Sequence, residues 1–502
     1  SIGTCEKKNP RTGMSCTKER NFSNQGREKM KRVITLLLAA GLVLGAATAS
    51  QATDIKVKGN YQFGFEGTKS AFTDPDNNDR FQASQRFRTQ IDFIASENLK
   101  GVVFFEIGKT VWGNGGSGVA GGGAGGSIGT DGINVKTRYA YIDWVIPQTD
   151  VQVRMGLQPY ALPGFVALSP VLGSAVDGAG ITLSSQFTEN VGASLFWMRA
   201  TNQDNSNINS DILDLVGLTV PVTFDGVKVT PWAMGAFAGN NSLARATATP
   251  SNGDQMRVAS GLLPAWTVGK LANSEDDHGN AWWLGFTGEL TMFDPIRFAW
   301  DAAYGSADMG NIGSQDLERS GWYISAIAQY KMDFVTPGLM LFYASGDDDD
   351  VMDGSEQIPV IDAGWNASSF GFDGSAYGAS TNVKISDTIA GMWGVQLRFD
   401  DISYMEDLKH NLRFAYYTGT NDNEVVKKGF ITSPKTTSQG LYLTDKDHAF
   451  EVNFDTNYNI YDNLILTVEL GYINLDLDGD VWNKTGIEEN AYKAGAYLTY
   501  NF

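Results

Sequence analysis

The stretch AYKAGAYLTYNF, Ala491 to Phe502, decides the fold. One set of alternate positions reads Tyr492, Ala494, Ala496, Leu498, Tyr500 and Phe502, and the other reads Lys493, Gly495, Tyr497, Thr499 and Asn501. Side chains two apart share one face of a β-strand, so the first set makes an apolar face with aromatic ends and the second a polar face. A strand that crosses a bilayer presents that pattern, because aromatic rings settle at both interfaces. Soluble β-sandwiches and β-helices alternate too, but their apolar faces carry no such aromatic edging.

The same alternation recurs along the chain. Ile55, Val57, Tyr61, Phe63 and Phe65 alternate with Lys56, Lys58, Asn60, Gln62 and Glu66; Phe87, Thr89, Ile91 and Phe93 alternate with Arg86, Arg88, Gln90 and Asp92. Short polar turns stand at Ser96–Asn98, Pro147–Thr149, Thr188–Asn190, Asp225–Gly226, Asp294–Pro295, Thr336–Gly338, Met405–Asp407 and Tyr461–Asn463. Between the hairpins lie long polar or glycine-rich stretches, at 67–82, 113–133, 201–211, 239–280, 306–319, 346–389, 420–447 and 476–489. A compact soluble domain seldom carries so many long loops, whereas outer-membrane barrels join strands by short periplasmic turns and long external loops. The count is eighteen strands, beginning near 53, 83, 99, 134, 151, 180, 190, 212, 226, 281, 295, 320, 337, 390, 409, 448, 463 and 490. Sixteen is the alternative count, because 212–238 and 320–345 alternate poorly. An even count puts both termini on the periplasmic side. Lipid offers no hydrogen-bond partner, so the sheet must close on itself. The expected fold is an all-β, transmembrane antiparallel barrel.

Met30 opens MKRVITLLLAAGLVLGAATASQA, with a basic start, an apolar run from about Val33 to Ala47, and small residues at Ser50 and Ala52. This is the three-part pattern of a secretory signal peptide over 30–52. The run is interrupted by Gly41 and Gly45 and falls short of the roughly 20 residues that span a bilayer. Residues 1–29 read as an upstream, non-native segment, and 53–502 as a single barrel. Both cysteines, Cys5 and Cys16, precede Met30, so residues 53–502 have no disulfide framework or thiolate metal site. Residues 1–52 hold nine basic and three acidic residues, leaving 29 basic and 54 acidic beyond them. That excess of negative charge argues against a nucleic-acid partner.

Together with the signal peptide, NLKGVVFFEIGKTVWG (Asn98–Gly113), TRYAYIDWVIP (Thr137–Pro147) and the closing AYKAGAYLTYNF resemble Gram-negative outer-membrane porins, in particular the homotrimeric porins of sulfate-reducing bacteria. The resemblance implies a homotrimer in the cell outer membrane, in contact with lipopolysaccharide. It also implies passive diffusion of small hydrophilic solutes and ions, and a last strand read by the outer-membrane assembly machinery through Tyr500 and Phe502. Such porins fold the loop after the fifth strand into the lumen, its carboxylates facing arginines across the pore. The corresponding segment here, 159–180, is apolar, and its one carboxylate is Asp177. The facing arginines are Arg86, Arg88, Arg138 and Arg154, all in the lumen phase of their strands.

Charge lining a narrow aqueous pore sets its selectivity, so four guanidinium groups at a constriction imply a preference for anions. The plainer alternative pairs them with Asp92, Glu106 and Asp143 as wall salt bridges. An acidic run, GDDDDVMDGSE, places Asp347, Asp348, Asp349, Asp350, Asp353 and Glu356 in an external loop. Oxygen-rich clusters suit Ca²⁺, but the spacing is not that of an EF-hand, and a solvated acidic loop is the competing reading; no cofactor is required. The glycine-rich Gly113–Gly129 lacks a P-loop lysine and reads as a surface loop. Catalysis is not expected: His278, His410 and His448 lie in separate segments, and no nucleophile elbow stands out. The main reading is a diffusion porin, and the alternatives are a substrate-selective channel and a non-conducting surface or adhesion barrel. A sugar channel would show a lumen track of aromatics, for which Tyr139, Tyr141 and Tyr497 are scattered candidates.

Overall fold

The structure, a computed structural model, describes residues 53–69, 79–114, 126–127, 135–173, 176–202, 212–239, 261–267, 279–377, 385–434, 440–483 and 488–502. The upstream segment, the signal peptide and most of the glycine-rich stretch lie outside the described residues. Eighteen strands form one sheet: β1 (Asp54–Lys69), β2 (Asp79–Ser96), β3 (Leu99–Val111), β4 (Val135–Val145), β5 (Gln152–Tyr160), β6 (Val176–Gln186), β7 (Gly192–Asn202), β8 (Ile212–Thr219 and Val222–Phe224), β9 (Val227–Ala238), β10 (Gly279–Phe293), β11 (Ile296–Ile312), β12 (Gln315–Tyr330), β13 (Thr336–Ala344), β14 (Met392–Met405), β15 (Leu408–Gly419), β16 (His448–Tyr461), β17 (Leu464–Asp476) and β18 (Glu488–Asn501). Every strand runs antiparallel to its neighbours, and β1 pairs with both β2 and β18, so the sheet closes. The eighth strand is split because Pro221 brings no N–H to the ladder, yet both pieces pair with β9.

Two expected connections are corrected. Residues 306–319 are not a long loop: β11 and β12 extend to Ile312 and from Gln315, with a tight turn at Gly313 whose φ is +65°. The turn placed at Thr336–Gly338 lies instead at 331–335, with the Met332 N–H bonded to the Val335 carbonyl at 3.0 Å. The poor alternation of 320–345 follows from apolar residues on both faces, with Tyr323, Ile327, Met340 and Phe342 buried inward and Trp322, Ile324, Leu339 and Leu341 exposed outward, not from missing strands.

The closing strand takes up the two faces read from its sequence. Tyr492 and Tyr500 are exposed on the outside, while Lys493 and Tyr497 are buried inside. The chain is sealed beyond the last ladder bond by Gly59 and Phe502, which exchange backbone hydrogen bonds of 2.9 and 3.0 Å. The Phe502 ring stacks on Phe87 at 6.0 Å between centroids and touches Tyr61 at 6.0 Å. Only glycine fits beneath it, since a Cβ at position 59 would meet the ring at 2.8 Å.

Aromatic pairs ring the outer surface toward the external ends of the strands: Trp282 with Tyr304, Trp322 with Tyr343, Trp393 with Tyr416 and Tyr472 with Tyr492. A second set, including Tyr330, Phe334, Tyr404, Tyr461 and Phe502, sits at the opposite end. Between them the exposed residues are Leu, Ile, Val and Phe, an area far beyond what a water-soluble protein exposes. An apolar band between two aromatic girdles on a closed barrel places the chain in the outer membrane.

Removing the Phe502 ring by Phe502→Ala should cost about 2 kcal/mol at this seam. The expected outcome is a lower yield of heat-modifiable folded barrel on refolding into detergent, with the conductance of correctly folded channels unchanged.

Candidate functional site: an arginine wall facing two inward loops

Alternation on neighbouring strands gathers the four predicted arginines onto one stretch of inner wall, β2 to β6. Arg88 on β2 donates through Nε to Glu106 on β3 at 2.7 Å. Arg138 on β4 approaches the same carboxylate at 3.5 Å and bonds Asp177 at 2.7 and 3.2 Å. Arg154 on β5 makes a bidentate pair with Asp143, at 2.7 and 3.0 Å. Lys100 and Lys136 stand 3.5 Å from Asp143 and 3.8 Å from Glu106. Asp92 is hydrogen-bonded by Gln90 and forms no ion pair among the described residues. The salt-bridge alternative is therefore met for three of the four arginines, with Asp177 taking the place of Asp92. Asp177 itself lies on strand β6 and not on a loop, because the connection between β5 and β6 is only 161–175.

Arg86 differs. Its Nε and a terminal nitrogen bond the Gln62 amide oxygen at 3.0 and 2.5 Å, and it donates to the main-chain carbonyl of Tyr377 at 3.2 Å. Among the described residues no carboxylate lies within ion-pair reach of it.

Guanidinium and aromatic side chains alternate down this wall. Arg154 lies 4.4 Å from the Tyr141 ring centroid, and Arg138 lies 5.6 and 5.8 Å from those of Phe104 and Tyr139. Phe104, Tyr139 and Tyr141 follow one another at 4.9 and 6.4 Å. Two of the three candidates, Tyr139 and Tyr141, thus form a contiguous track with Phe104, because a bulge at Phe104/Phe105 turns Arg138 and Tyr139 to the same side, whereas Tyr497 stands apart against Tyr377.

The loop after β5 folds inward, as expected. Leu162, Val171 and Leu172 are buried, and the Phe165 and Val166 N–H groups both donate to the Asp301 carboxylate on β11 at 2.8 Å. Arg297, four residues away on the same face of β11, donates to the Phe165 carbonyl at 2.8 Å. A buried loop must find partners for its backbone, and this one finds them on the opposite wall.

A second inward loop corrects the reading of 346–389 as an external polar loop. Val351, Ile358, Val360, Ile361, Trp365, Phe370 and Phe372 are all buried inside the barrel. The segment crosses to the first loop, where Ile361 N–H bonds the Val171 carbonyl at 3.0 Å and Gly173 N–H bonds the Asp362 carbonyl at 2.7 Å. It then runs along a row of buried wall carboxylates. Glu451 on β16 accepts from Ser368, Gly371 N–H and Tyr417; Asp455 accepts from Ser369; Glu469 on β17 accepts from Ser375, Ala376 N–H and Lys493. Leu262, Leu263 and Trp266, from another stretch read as external, pack against it. The lumen beside β7 to β16 is consequently filled with apolar side chains, and the polar passage is left to the arginine wall.

Below this filling, sequence reasoning missed a polar belt. Lys228 and Arg297 bond Glu289 at 2.9 Å each, Arg297 bonds Gln329 at 2.8 Å, and Arg398 and Arg413 share Asp400 at 2.9 and 3.1 Å. The signal was present, since these residues are in lumen phase on β9 to β15.

The acidic run is divided by the fold. Asp347 is corrected as a calcium candidate: it is buried, and its oxygens accept from Ser355, Gln357 and Tyr442. Asp349 pairs with Lys428 at 3.3 Å, and Asp350 accepts the Met352 N–H at 2.9 Å. Only Asp348, Asp353 and Glu356 converge, with one ligand oxygen from each within 4.8 Å of the others.

No family model and no curated protein sequence matches the chain. Solved structures do. OccAB3 of Acinetobacter baumannii superposes with a TM-score of 0.51 at 12% identity, over 89% of this chain and 100% of that one. OccK2 of Pseudomonas aeruginosa gives 0.50 at 11% identity over 89% and 98%, and its complex with glucuronate gives 0.50 at 12% over 90% and 99%. The fold is that of an outer-membrane porin. At this identity the likeness carries the barrel alone, and none of these structures bears on the resemblance to porins of sulfate-reducing bacteria.

Glu356 supplies a test of the acidic cluster. Burial, reinforced by the negative charges of Asp347 and Asp348 and opposed by the Asp348 N–H bond, pushes its carboxyl up to about 7 from an ordinary 4.5. The folded state then takes up a proton that the unfolded chain releases, so stability falls as pH rises through that window. Heat-unfolding curves should show the wild type losing ground to Glu356→Gln between about pH 4.5 and 7.

Proposed function

We propose that the chain is a passive outer-membrane channel for small hydrophilic solutes and ions that favours anions at its constriction. The observation that carries this reading is the charge balance of the polar wall on β2 to β6, which faces the apolar filling of the inward loops. Arg88, Arg138, Arg154, Lys100 and Lys136 face Asp92, Glu106, Asp143 and Asp177, an excess of one positive charge, with the buried Arg86 behind them. In a narrow passage bounded by low-dielectric filling, that excess is felt more strongly than at an open surface. The net negative charge of the chain as a whole acts at longer range and is screened within about 10 Å at ordinary salt.

A narrower reading, selectivity for small organic anions with a planar group, is favoured by the alternating guanidinium and aromatic track at Arg138, Tyr139, Tyr141 and Arg154. Carboxylates suit the planar guanidinium fork, and flat groups suit the ring faces. The glucuronate bound to OccK2 is a carboxylate ligand of that protein. Assembly as a homotrimer, contact with lipopolysaccharide, and calcium held by Asp348, Asp353 and Glu356 complete the proposal.

Reversal potentials across a KCl gradient should report anion preference in planar bilayers. The variant Arg88→Gln, Arg138→Gln, Arg154→Gln should shift the reversal potential toward cations, with an anion-to-cation permeability ratio falling several-fold, by about 3 or more. A cation-selective wild type contradicts the reading, and an absence of any conductance favours the adhesion barrel.

A further inference from the structure

We infer that Tyr377 is a selectivity cap: its ring holds Arg86 out of the aqueous passage, and removing it adds that cation to the wall a passing anion meets. The inference rests on the anion-conducting reading above. Taking a guanidinium out of water without a counter-charge is costly, and Arg86 is buried with no carboxylate in ion-pair reach among the described residues. Its solvation is replaced by the Gln62 amide oxygen, by the Tyr377 carbonyl at 3.2 Å, and by the face of the Tyr377 ring 5.1 Å from the guanidinium carbon. An aromatic face is a partial substitute for an anion. It is also one that an anion can outcompete.

The cap is positioned from three sides. Tyr377 stacks on Tyr497 of the closing strand at 5.5 Å with an interplanar angle of 8°. It lies over Gly64 on β1, where a Cβ would come within 3.2 Å of the ring. Lys109 Nζ stands 5.1 Å from the ring centroid, so the ring touches two cations at once. Immediately upstream, Ser375 and Ala376 bond Glu469 at 2.7 and 2.6 Å, which fixes the height at which the inward loop meets the arginine wall. Arg88, two residues from Arg86 on the same face of β2, already faces the passage beside Glu106. Uncapping Arg86 would place a second, uncompensated guanidinium next to it.

The test uses the full chain, folded as shown by heat-modifiable mobility, in two independent readouts. In planar bilayers with a KCl gradient, Tyr377→Ala should raise the anion-to-cation permeability ratio about two- to fivefold. Tyr377→Phe, which keeps the ring and the main-chain carbonyl, should match the wild type, and Tyr377→Ala with Arg86→Gln should return to it. In the second readout, Arg86 should resist phenylglyoxal in the wild type and in Tyr377→Phe and be modified in Tyr377→Ala, as read by mass spectrometry. If Tyr377→Ala leaves both the ratio and the protection of Arg86 unchanged, or if the double variant keeps the raised ratio, the cap is overturned. A cation-selective wild type overturns the anion reading instead, and the phenylglyoxal result still decides the cap. Should Tyr377→Ala fail to fold, Tyr377→Leu fills the space without an aromatic face and is expected to behave as the alanine variant.

Discussion

Backbone groups that lipid cannot satisfy govern this molecule. Each strand of the barrel must give its N–H and C=O groups to a neighbour, and the sheet has no edge because β18 returns to β1 along ten paired positions from Asn60–Asn501 to Lys69–Tyr492. The same requirement reappears inside. Two loops leave the external rim and enter the lumen, where they displace water that would otherwise solvate their backbone. Their N–H groups are met by wall carboxylates, Asp301 for the first loop and Glu451 and Glu469 for the second. Charged acceptors make stronger bonds than neutral ones, and each carboxylate accepts more than one donor, so the loops are held at defined heights.

From that tethering follows the asymmetry of the lumen. The inward loops bring Leu172, Ile358, Ile361, Trp365 and Phe372 against Trp283, Tyr323, Phe342 and Tyr417 of the wall, and all are buried. Water has no place among them. The opposite wall keeps its arginines, lysines and carboxylates, with Arg88, Arg138 and Arg154 only partly buried. A barrel wide enough for an open channel is thereby reduced to a passage along one side, which is how a chain of strong net negative charge presents a positive surface to what passes through it.

Much of the barrel was legible in the sequence, because lipid on one side and water on the other impose a period of two that survives poor local propensity. The eighteen expected strand starts fall within five residues of those observed. The phase of Arg86, Arg88 and Arg154 was legible for the same reason, whereas Arg138 shares the period of Ala140 and Ile142 and is turned inward by the bulge at Phe104/Phe105. Two of their partners, Glu106 and Asp143, were legible as well; Asp177 was not, since Arg138 reaches it only after a β-bulge at Phe104/Phe105 has shifted the register. The second inward loop was hidden by composition: glycine, serine and aspartate dilute its apolar residues, and a segment buried by irregular contacts has no periodicity to betray it. The run IPVIDAGW, Ile358 to Trp365, was the available sign. Apolar side chains so dense have no reason to stand in an external loop.

At the height of the inward loops, above the polar belt, the passage follows β2 to β6 and the lumen beside β7 to β16 is dry. Because the chain has no cysteine after Cys16, single cysteines can report water access directly. In the folded full-length channel, Arg154→Cys should react rapidly with a charged methanethiosulfonate reagent and change the single-channel current. Ser325→Cys, equally inward-facing but buried on β12, should remain unmodified. Rapid modification at position 325, or protection at 154, would contradict the account.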